Sequence, residues 1–279
     1  MNEIESKTLY LVPTPIGNLE DITYRAVKVL SNVEYIFAED TRVTKILLSH
    51  FNITKPVLKS YHEYNENEAS EVIIDLLKNN HTVALVTDAG TPGISDPGYV
   101  VVKKAIQEHL KIVSLPGPTA FTTALVASGL STNTFSFFGF LDHKKSAKRK
   151  TLENLKDRSE TLIFYEAPHR IIDTLEIMYE ILGDRQVVIA REITKKFEEY
   201  LRGSISKILE QGFNVKGEMV ILVEGAKQTQ LESKLNDLSI EEHYNYYLQQ
   251  GLNEKDAMKQ VAKDRKTSKS NIYNYLLKK

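Results

Sequence analysis

The loop at residues 88–98 carries the residue types best suited to holding a small molecule. It is rich in glycine, proline and aspartate and directly follows the apolar run at residues 83–86. Glycine permits positive φ angles and proline stiffens the chain, so this composition favours a rigid loop over a helix or strand. Open α/β sheets bind ligands beyond the carboxyl ends of their strands. The sequence therefore predicts a cofactor-binding loop here.

Three further loops follow predicted strands in the same way. They occupy residues 13–21, 39–42 and 116–119. If the strands are parallel, all four loops meet at one edge of the sheet, where a binding site is expected. Each loop alone could simply be a turn, because proline and glycine are common in turns.

The type of cofactor is narrowed by the motifs that the chain lacks. No glycine-rich dinucleotide fingerprint and no phosphate-binding P-loop occurs in the sequence. We therefore expect a nucleoside-like cofactor without phosphates, held by stiff loops and by the apolar side chains of Ile16, Ile94 and Ala120. S-adenosylmethionine is such a molecule.

The composition is that of a globular protein. The chain has 279 residues, 42% of them hydrophobic and 26% charged, and this length favours two domains. The first residues lack the basic and apolar regions of a secretory signal, so we expect a cytoplasmic protein. Cysteine is absent and the seven histidines have no metal-ligand spacing, so no metal site is predicted.

Alternating strand and helix patterns predict an α/β fold. The predicted strands are residues 8–12, 35–38, 57–60, 83–87, 112–115, 135–138, 161–165, 186–191, 198–202 and 218–223. The predicted helices are residues 24–30, 44–49, 70–78, 99–107, 119–128, 147–155, 171–181 and 204–211, with Ser204 as an N-cap. The pattern resets after a polar linker at residues 129–133.

The end of the chain is predicted to be helical. Ser239 and Glu242 form a capping-box pattern, Gly251 ends that helix, and two more helices are expected at residues 254–264 and 268–278. The short basic helices resemble a helix-turn-helix, although a small capping bundle fits the pattern equally well.

Two basic segments are the candidates for contact with a polyanion. The net charge is −1, so any such contact depends on local patches rather than on the whole chain. One segment is the helical tail. The other, at residues 143–150, includes Lys144, Lys145, Lys148, Arg149 and Lys150, which are able to reach phosphates. Either segment could instead be an ordinary solvated helix face.

The motifs together resemble one branch of the tetrapyrrole-methylase superfamily, the class III methyltransferases. The resemblance lies in residues 14–19, 38–42, 88–98, 115–118, 165–170 and 190–195, and it covers nearly the whole chain. Members of this branch methylate ribosomal RNA. One departure is Thr91, which stands where the vitamin-pathway members of the superfamily carry an aspartate.

The resemblance implies a two-domain α/β fold with mixed sheets and a small C-terminal helical module. The expected domains are residues 1–118, which hold the cofactor loops, residues 119–228, which complete the cleft, and a helical tail at residues 229–279. The cofactor contacts that it implies are Ile16, Thr91, Ile94, Thr119, Ala120, Tyr165, Arg191 and Met219, and the loops add Pro13, Asp88 and Gly93.

The resemblance also implies the reaction. It is 2′-O-methylation, from S-adenosylmethionine, of a cytidine ribose in the decoding region of 16S ribosomal RNA, within the small ribosomal subunit and by a homodimer. A ribose hydroxyl must lose its proton to attack the methyl group, and a carboxylate or a lysine amine can take it. The candidates at the strand ends are Glu39, Asp40, Asp88, Glu166, Glu192 and Lys195, and Asp40, Lys195 and Glu166 are preferred among them.

The three preferred candidates each have a structural alternative. Asp40 and Arg42 could form an ion pair that caps a helix, and Glu166 could interact with a helix dipole. Lys195 lies beside Lys196 and could belong to a solvated or phosphate-facing surface. The residues expected to contact RNA are Arg42, Lys144, Lys145, Arg149 and Arg170. Two other functions compete: methylation of a tetrapyrrole or of a diphthine-type protein substrate, and RNA binding without catalysis.

Overall fold

The computed structural model describes residues 4–227, 235–265 and 267–277. The chain divides into two compact units, Met1–Gly225 and Ala226–Lys279. The first unit contains two five-stranded sheets, and the second is helical. The predicted class, α/β with mixed sheets and a small helical module, is confirmed. The expected boundary at residue 118 within the α/β part stays a prediction.

The first sheet is entirely parallel, with the strand order β3-β2-β4-β1-β5. Its strands are β1 (Thr8–Leu11), β2 (Tyr35–Ala38), β3 (Val57–Ser60), β4 (Val83–Val86) and β5 (Lys111–Ser114). All four residues of β4 are buried, which explains the uninterrupted apolar run in its sequence.

Helices connect these strands and cover both faces of the sheet, as parallel sheets require. They are α1 (Tyr24–Asn32), α2 (Thr41–His50), α3 (Glu66–Lys78) and α4 (Tyr99–Gln107), with a 3₁₀ turn at Leu19–Asp21. Helix α5 (Ala120–Ser128) follows β5 and packs on the second sheet. Thr23 caps α1 by accepting a hydrogen bond from the backbone N–H of Ala26 at 3.0 Å.

The second sheet is mixed, with the order β6-β7-β10-β8-β9. Its strands are β6 (Phe135–Phe140), β7 (Thr161–Glu166), β8 (Gln186–Arg191), β9 (Glu199–Ser204) and β10 (Met219–Val223). Strands β6 and β7 are parallel, and every other neighbouring pair is antiparallel.

Three helices belong to this sheet: α6 (Lys145–Leu155), α7 (Ile171–Leu182) and α8 (Ile205–Gln211), with a 3₁₀ turn at Pro168–Arg170. Ser204 caps α8 as predicted, because its hydroxyl accepts a hydrogen bond from the backbone N–H of Lys207. One core lies between the sheet and these helices and contains the fully buried Phe164, Leu175 and Met178. The other face of the sheet packs on α5.

The second unit consists of α9 (Ile240–Gln249), α10 (Glu254–Asp264) and α11 (Lys269–Leu277) around a small core. The predicted capping box of Ser239 and Glu242 is present at the start of α9. Asp264 accepts hydrogen bonds from Tyr247 at 2.5 Å and pairs with the buried His243 at 3.1 Å. Within the described part of the chain, no helix combines the length and the apolar character that a membrane span needs.

Candidate active site

Hydrogen bonds join the loops that follow the strands of the first sheet, so these loops meet at one edge as predicted. Thr14 and Gly90 exchange two backbone hydrogen bonds of 2.9 and 3.0 Å, which join the loop after β1 to the loop after β4. The backbone N–H of Asp40 donates to Asp88 Oδ1 at 3.0 Å, which adds the loop after β2. These bonds hold the backbone of the edge in a fixed arrangement.

The loop after β5 joins the same edge through two threonines. Thr91 Oγ1 donates to the carbonyl oxygen of Pro118 at 3.1 Å and lies 2.8 Å from Thr119 Oγ1. Thr91 belongs to the loop at residues 88–98, whereas Thr119 is the N-cap residue of α5. All four loops predicted from the sequence therefore form one connected rim.

The second sheet presents one of its own edges to this rim. Strands β6, β7 and β8 run in one direction, and β9 and β10 run in the other. This edge therefore holds three carboxyl ends and the amino ends of β9 and β10. A cavity of about 530 Å³ lies between the two edges. It is lined by Ile16, Glu39, Asp88, Ala89, Gly90, Thr91, Ile94, Ser95, Asp96, Thr119, Ala120, Phe140, Tyr165, Glu192, Ile193, Lys195, Gly217, Glu218, Met219 and Val220.

The cavity has an apolar floor and a more polar mouth. Met219, Val220 and Ile193 are exposed by 1%, 3% and 7% respectively, so they form the floor. The mouth includes Lys195, whose side chain is 44% exposed, and Phe140, which is 46% exposed. An apolar pocket with a few polar groups at defined positions is typical of small-molecule sites.

Carboxyl groups dominate the charge of the cavity. Burial raises the pKa of Glu39 and of Asp88, and neighbouring carboxylates add to the effect. Burial, together with the charges of Glu39, Glu218 and Asp88, raises the pKa of Asp96 to about 7. Burial also raises the pKa of Tyr165 to about 12. Like charges that crowd in this way favour a cationic ligand, which would relieve their repulsion.

Three residues around the cavity have backbone conformations that non-glycine residues rarely adopt. The φ angles of Ser95, Glu192 and Thr194 are 63°, 50° and 67°. Such conformations cost free energy and often occur at functional sites, where the surrounding structure holds them. The loops from both sheets are therefore shaped specifically where they approach each other.

Lys195 is held at the mouth by contacts with both edges. Its Nζ lies 3.0 Å from Glu192 Oε1, and a Cβ atom at Gly17 would lie only 2.7 Å from Lys195 Cγ. A glycine at position 17 thus lets the loop after β1 approach the loop after β8. The ammonium group of Lys195 stands beside the cavity with a carboxylate partner.

Most of the residues expected to bind the cofactor line this cavity: Ile16, Asp88, Thr91, Ile94, Thr119, Ala120, Tyr165 and Met219. The remaining three lie elsewhere. Pro13 is buried against Gly117, Gly93 is exposed at a turn with a φ of 81°, and the buried Arg191 pairs with Glu199 at 2.6 Å.

The candidates for proton transfer are in different environments. Glu39, Asp88, Glu192 and Lys195 line the cavity. Asp40 caps α2 and pairs with Arg42 at 2.5 Å, and these hydrogen bonds lower the pKa of Asp40 to about 2. Glu166 is completely buried, where it accepts a 2.6 Å hydrogen bond from Thr174 Oγ1. These contacts support the structural alternatives for Asp40 and Glu166.

Glu166 also faces two cations, which changes the interpretation of the basic segment. Its carboxylate lies 3.4 Å from Lys148 Nζ and 3.1 Å from Arg170 Nε. Lys148 is only 3% exposed. The prediction that its side chain reaches phosphates at the surface is therefore wrong. Arg170 also donates to the carbonyl oxygens of Leu141 and Asp142.

The remaining basic residues are at the surface. Lys144 is exposed, Lys145 pairs with Asp173 at 3.0 Å, and Arg149 pairs with Glu180. The guanidinium of Arg42 is 89% exposed despite its partner Asp40.

Several residues of the cavity were not predicted from the sequence, among them Ser95, Asp96, Phe140 and Glu218. Asp96 belongs to the predicted cofactor loop at residues 88–98, and that position was the signal that could have identified it. Glu218 precedes β10, a strand that contributes its amino end, and the rule for carboxyl ends does not identify such a residue. Phe140 depends on a β-bulge that has no clear signature in the sequence.

A family comparison agrees with this arrangement. The model of the family described as Tetrapyrrole (Corrin/Porphyrin) Methylases matches residues 8–209. The chain belongs to the tetrapyrrole methylase family. The matched region spans both sheets up to α8, and it includes every loop of the rim. The resemblance inferred from the sequence motifs is therefore confirmed.

Two relatives of this tetrapyrrole methylase are similar over nearly their whole length. "Ribosomal RNA small subunit methyltransferase I" of Halalkalibacterium halodurans is 48% identical over 271 residues, which cover 96% of this chain and 93% of the relative. The protein of the same name from Bacillus subtilis is 46% identical over 271 residues, covering 95% and 92% of the two chains.

A solved structure shares the fold at lower identity. The uroporphyrin-III-C-methyltransferase from Thermus thermophilus superposes with a TM-score of 0.56 at 18% identity, covering 78% of this tetrapyrrole methylase and 94% of that chain. At this identity the comparison shows a common architecture.

Proposed function

We propose that the protein transfers a methyl group from S-adenosylmethionine to the 2′-hydroxyl of a cytidine ribose in the decoding region of 16S ribosomal RNA. The observation that carries the proposal is the acidic cavity between the two sheet edges, in a chain whose relatives with 45–48% identity are named for methylation of small-subunit ribosomal RNA. We further propose that the enzyme works in the cytoplasm, as a homodimer, on the small ribosomal subunit.

The residues present fit S-adenosylmethionine. The volume of about 530 Å³ lies within the range of small-molecule pockets. The floor around Met219 and the side chains of Ile16 and Ala120 suit an adenine ring. The hydroxyls of Thr91 and Thr119 can hydrogen-bond to the polar parts of the molecule. When bound, the cofactor supplies an electrophilic methyl group on a positively charged sulfur.

The charge of the cavity supports this assignment. Burial, together with the neighbouring carboxylates of Glu39 and Glu218, raises the pKa of Asp96 to about 7. A sulfonium beside these groups would offset their mutual repulsion and favour the ionised carboxylates. A phosphate-bearing cofactor would instead meet like charge. The same feature explains why the chain needs no phosphate-binding motif.

The acceptor hydroxyl has to be aligned with the methyl group and has to lose its proton. We propose that the neutral amine of Lys195, at the mouth, accepts this proton, and that the carboxylate of Glu192 then holds the resulting ammonium group through their 3.0 Å contact. Proton transfer of this kind contributes about 10²–10⁴-fold to a rate. Alignment by the rigid rim lowers the entropy cost of bringing the two reactants together.

Incubation with a radiolabelled methyl donor tests the activity. Purified protein is mixed with small ribosomal subunits that lack the modification, and the label is mapped by nuclease digestion. We expect the label in a single cytidine. The phosphodiester on the 3′ side of this cytidine should resist alkaline cleavage, because a 2′-O-methyl group blocks that reaction. Label in a base, label in protein, or no transfer would contradict the proposal. A parallel reaction with protein-free 16S RNA shows whether methylation requires the assembled small subunit.

A further inference from the structure

A row of aromatic side chains leads along β6 to the cavity. Phe121 stacks on Phe137 with ring centroids 4.4 Å apart, and Phe137 meets Tyr165 edge-on at 4.9 Å. Phe140, the last residue of β6, meets Tyr165 at 5.5 Å with an interplanar angle of 63°. Phe140 and Tyr165 both line the cavity, so the row ends at the mouth.

A β-bulge aims Phe140 at the cavity. The register between β6 and β7 shifts by one residue between Phe137 and Phe140, so that Phe140 rather than Gly139 pairs with Tyr165. Regular alternation along the strand would put Phe140 on the same face as Phe138, which packs in the core against Phe164. Bulges often redirect a side chain near an active site.

Gly139 makes this bulge possible. Its φ angle is 64°, and a Cβ atom at this position would lie 2.8 Å from Ser95 Oγ in the loop after β4. A side chain there would therefore be strained and would collide with the rim. The local sequence thus places a large aromatic ring, by way of a glycine, at the mouth of the cavity.

The exposure of the ring separates it from the floor that suits the cofactor. Phe140 is 46% exposed, whereas Met219 and Val220 on the floor are exposed by 1% and 3%. A small ligand is normally buried over most of its surface. The exposed ring is therefore in the position of a contact for the molecule that enters through the mouth. Its apolar surface would otherwise remain in water beside several carboxylates.

The carboxyl groups that line the cavity restrict what that molecule can present. A phosphate would be repelled by Asp88, Asp96 and Glu218, so a nucleotide has to enter with its base and ribose. Stacking of a base on an aromatic ring requires no charge and occurs on every base. Enzymes that modify a nucleotide commonly take it out of its stack and hold it against aromatic side chains.

The geometry points to Phe140 as the stacking platform for the base of the nucleotide whose ribose is methylated. This inference rests on the proposed function and adds the group that positions the substrate. Phe140 acts as a positioning residue, because its ring holds the base while the chemistry takes place at the ribose.

Tryptophan substitution tests the inference directly, because the chain contains no tryptophan. The variant Phe140→Trp has one fluorophore at the mouth, and Phe135→Trp has one at the opposite end of the same strand, where the ring is also 42% exposed. Each is titrated with unmodified small ribosomal subunits in the presence of S-adenosylhomocysteine. We expect strong quenching for Phe140→Trp and little change for Phe135→Trp.

Kinetics supply the second measurement. Phe140→Ala should lower kcat/KM for small subunits by about 5- to 150-fold, the range that corresponds to loss of one base–aromatic stack. Phe140→Tyr should retain most of the activity, and Phe135→Ala should match the wild type. Calorimetry should give unchanged affinity for S-adenosylmethionine in Phe140→Ala, and its melting temperature shows whether it is folded.

The outcomes separate the two proposals. If the wild type does not methylate small subunits, the proposed function fails. If the wild type is active and Phe140→Ala is equally active, or if quenching is the same at positions 135 and 140, the stacking role is refuted while the function stands. A loss of cofactor affinity in folded Phe140→Ala that equals its loss of kcat/KM would assign the ring to the cofactor and would also overturn the inference.

Discussion

The hydroxyl of Thr91 lies 2.8 Å from the hydroxyl of Thr119, and this pair joins two loops that follow different strands of the parallel sheet. Thr91 also donates to the carbonyl oxygen of Pro118. Neutral hydroxyls therefore hold this part of the rim. The negative charge of the cavity comes instead from side chains placed around it, such as Asp96 and Glu218.

Replacement of Thr91 by valine should loosen this rim. The variant loses the contact with Thr119 and the bond to Pro118, and each hydrogen bond is worth about 0.5–1.5 kcal/mol. We expect a free energy of unfolding lower by about 1–3 kcal/mol and a dissociation constant for S-adenosylmethionine higher by about tenfold. Denaturant titration and calorimetry measure the two effects. Thr122→Val is the matched control, because exposed Thr122 bonds only to the carbonyl oxygen of Thr119 among the described contacts.

Asp96 should make the stability of the unliganded protein depend on pH. Its pKa is about 7 in the fold and 3.8 in the reference state, so the folded protein holds this proton more tightly between these values. The resulting stabilisation is complete below pH 4 and is lost as the pH rises to about 7. We therefore expect Asp96→Asn to melt at a higher temperature than the wild type at pH 8, and the difference to shrink steadily as the pH is lowered towards 4.

The same variant should bind the cationic cofactor more weakly at pH 8. Removal of one carboxylate from the cavity should raise the dissociation constant of S-adenosylmethionine by about tenfold, which is 1.4 kcal/mol. At pH 5 the two proteins should bind alike, because Asp96 is then protonated in the free wild type. Equal affinity at both pH values would show that this carboxylate does not sense the cofactor.

Lys195 should matter for turnover more than for cofactor affinity. We expect Lys195→Met to lower kcat by about 10²–10⁴-fold, with an almost unchanged dissociation constant for S-adenosylmethionine. Lys196→Met is the control, since exposed Lys196 lies over the ring of Phe197 at 5.5 Å. Normal turnover in both Lys195→Met and Asp40→Ala would eliminate both residues as the group that assists deprotonation.

Removal of one partner of the buried pair between Glu166 and Lys148 should strongly destabilise the protein. Glu166→Gln leaves the ammonium of Lys148 inside the protein without a charged partner, which costs about 3–5 kcal/mol. Glu153→Gln breaks an exposed pair with Lys156 and should cost at most about 1 kcal/mol. Recovery of stability in the double variant Glu166→Leu/Lys148→Met would show that the single variant suffers from the unpaired charge.

The exposed basic residues at the start of α6 should govern how binding to small ribosomal subunits depends on salt. Each phosphate contact contributes about 0.7–0.9 to the slope of log K against log salt. We expect the triple glutamine variant to flatten this slope by about 2–3 in titrations with small ribosomal subunits. The substituted residues are Lys144, Lys145 and Arg149.

The control for this measurement carries the same change of charge elsewhere. Lys78, Lys104 and Lys111 also pair with carboxylates, and they belong to the layer of the parallel sheet. Lys111 begins β5, at the edge of the sheet away from the cavity. If this control flattens the slope as much as the first triple variant does, the basic segment has no special role.

The strands and helices could be predicted closely because each has its own local pattern. Five predicted elements agree with the structure at both ends: β2, β3, β8, α4 and α10. The rim was also predictable, because parallel strands bring their carboxyl ends to one edge. The predicted starts of α2 and α3, at residues 44 and 70, come later than the observed starts at Thr41 and Glu66. The first turns of these helices are mostly polar, so the apolar periodicity used for the prediction begins only after them.

The rest depended on contacts between residues that are far apart in sequence. Lys148 belongs to a basic run that is typical of a surface helix, but Glu166 lies on the strand beneath it and draws this one lysine inside. Glu218 enters the cavity because β10 runs against its neighbours. Phe140 enters because one extra residue interrupts the pairing of β6 with β7. None of these partners can be read from a local pattern.

The buried pair of Lys148 and Glu166 also fixes a distance. It ties α6, whose outer surface carries Lys145 and Arg149, to the strand position directly after Tyr165. A polyanion bound along that helix would therefore lie at a constant distance from the cavity. Under the proposed function, this distance would determine which position of a folded RNA reaches the methyl donor, without recognition of the bases in between.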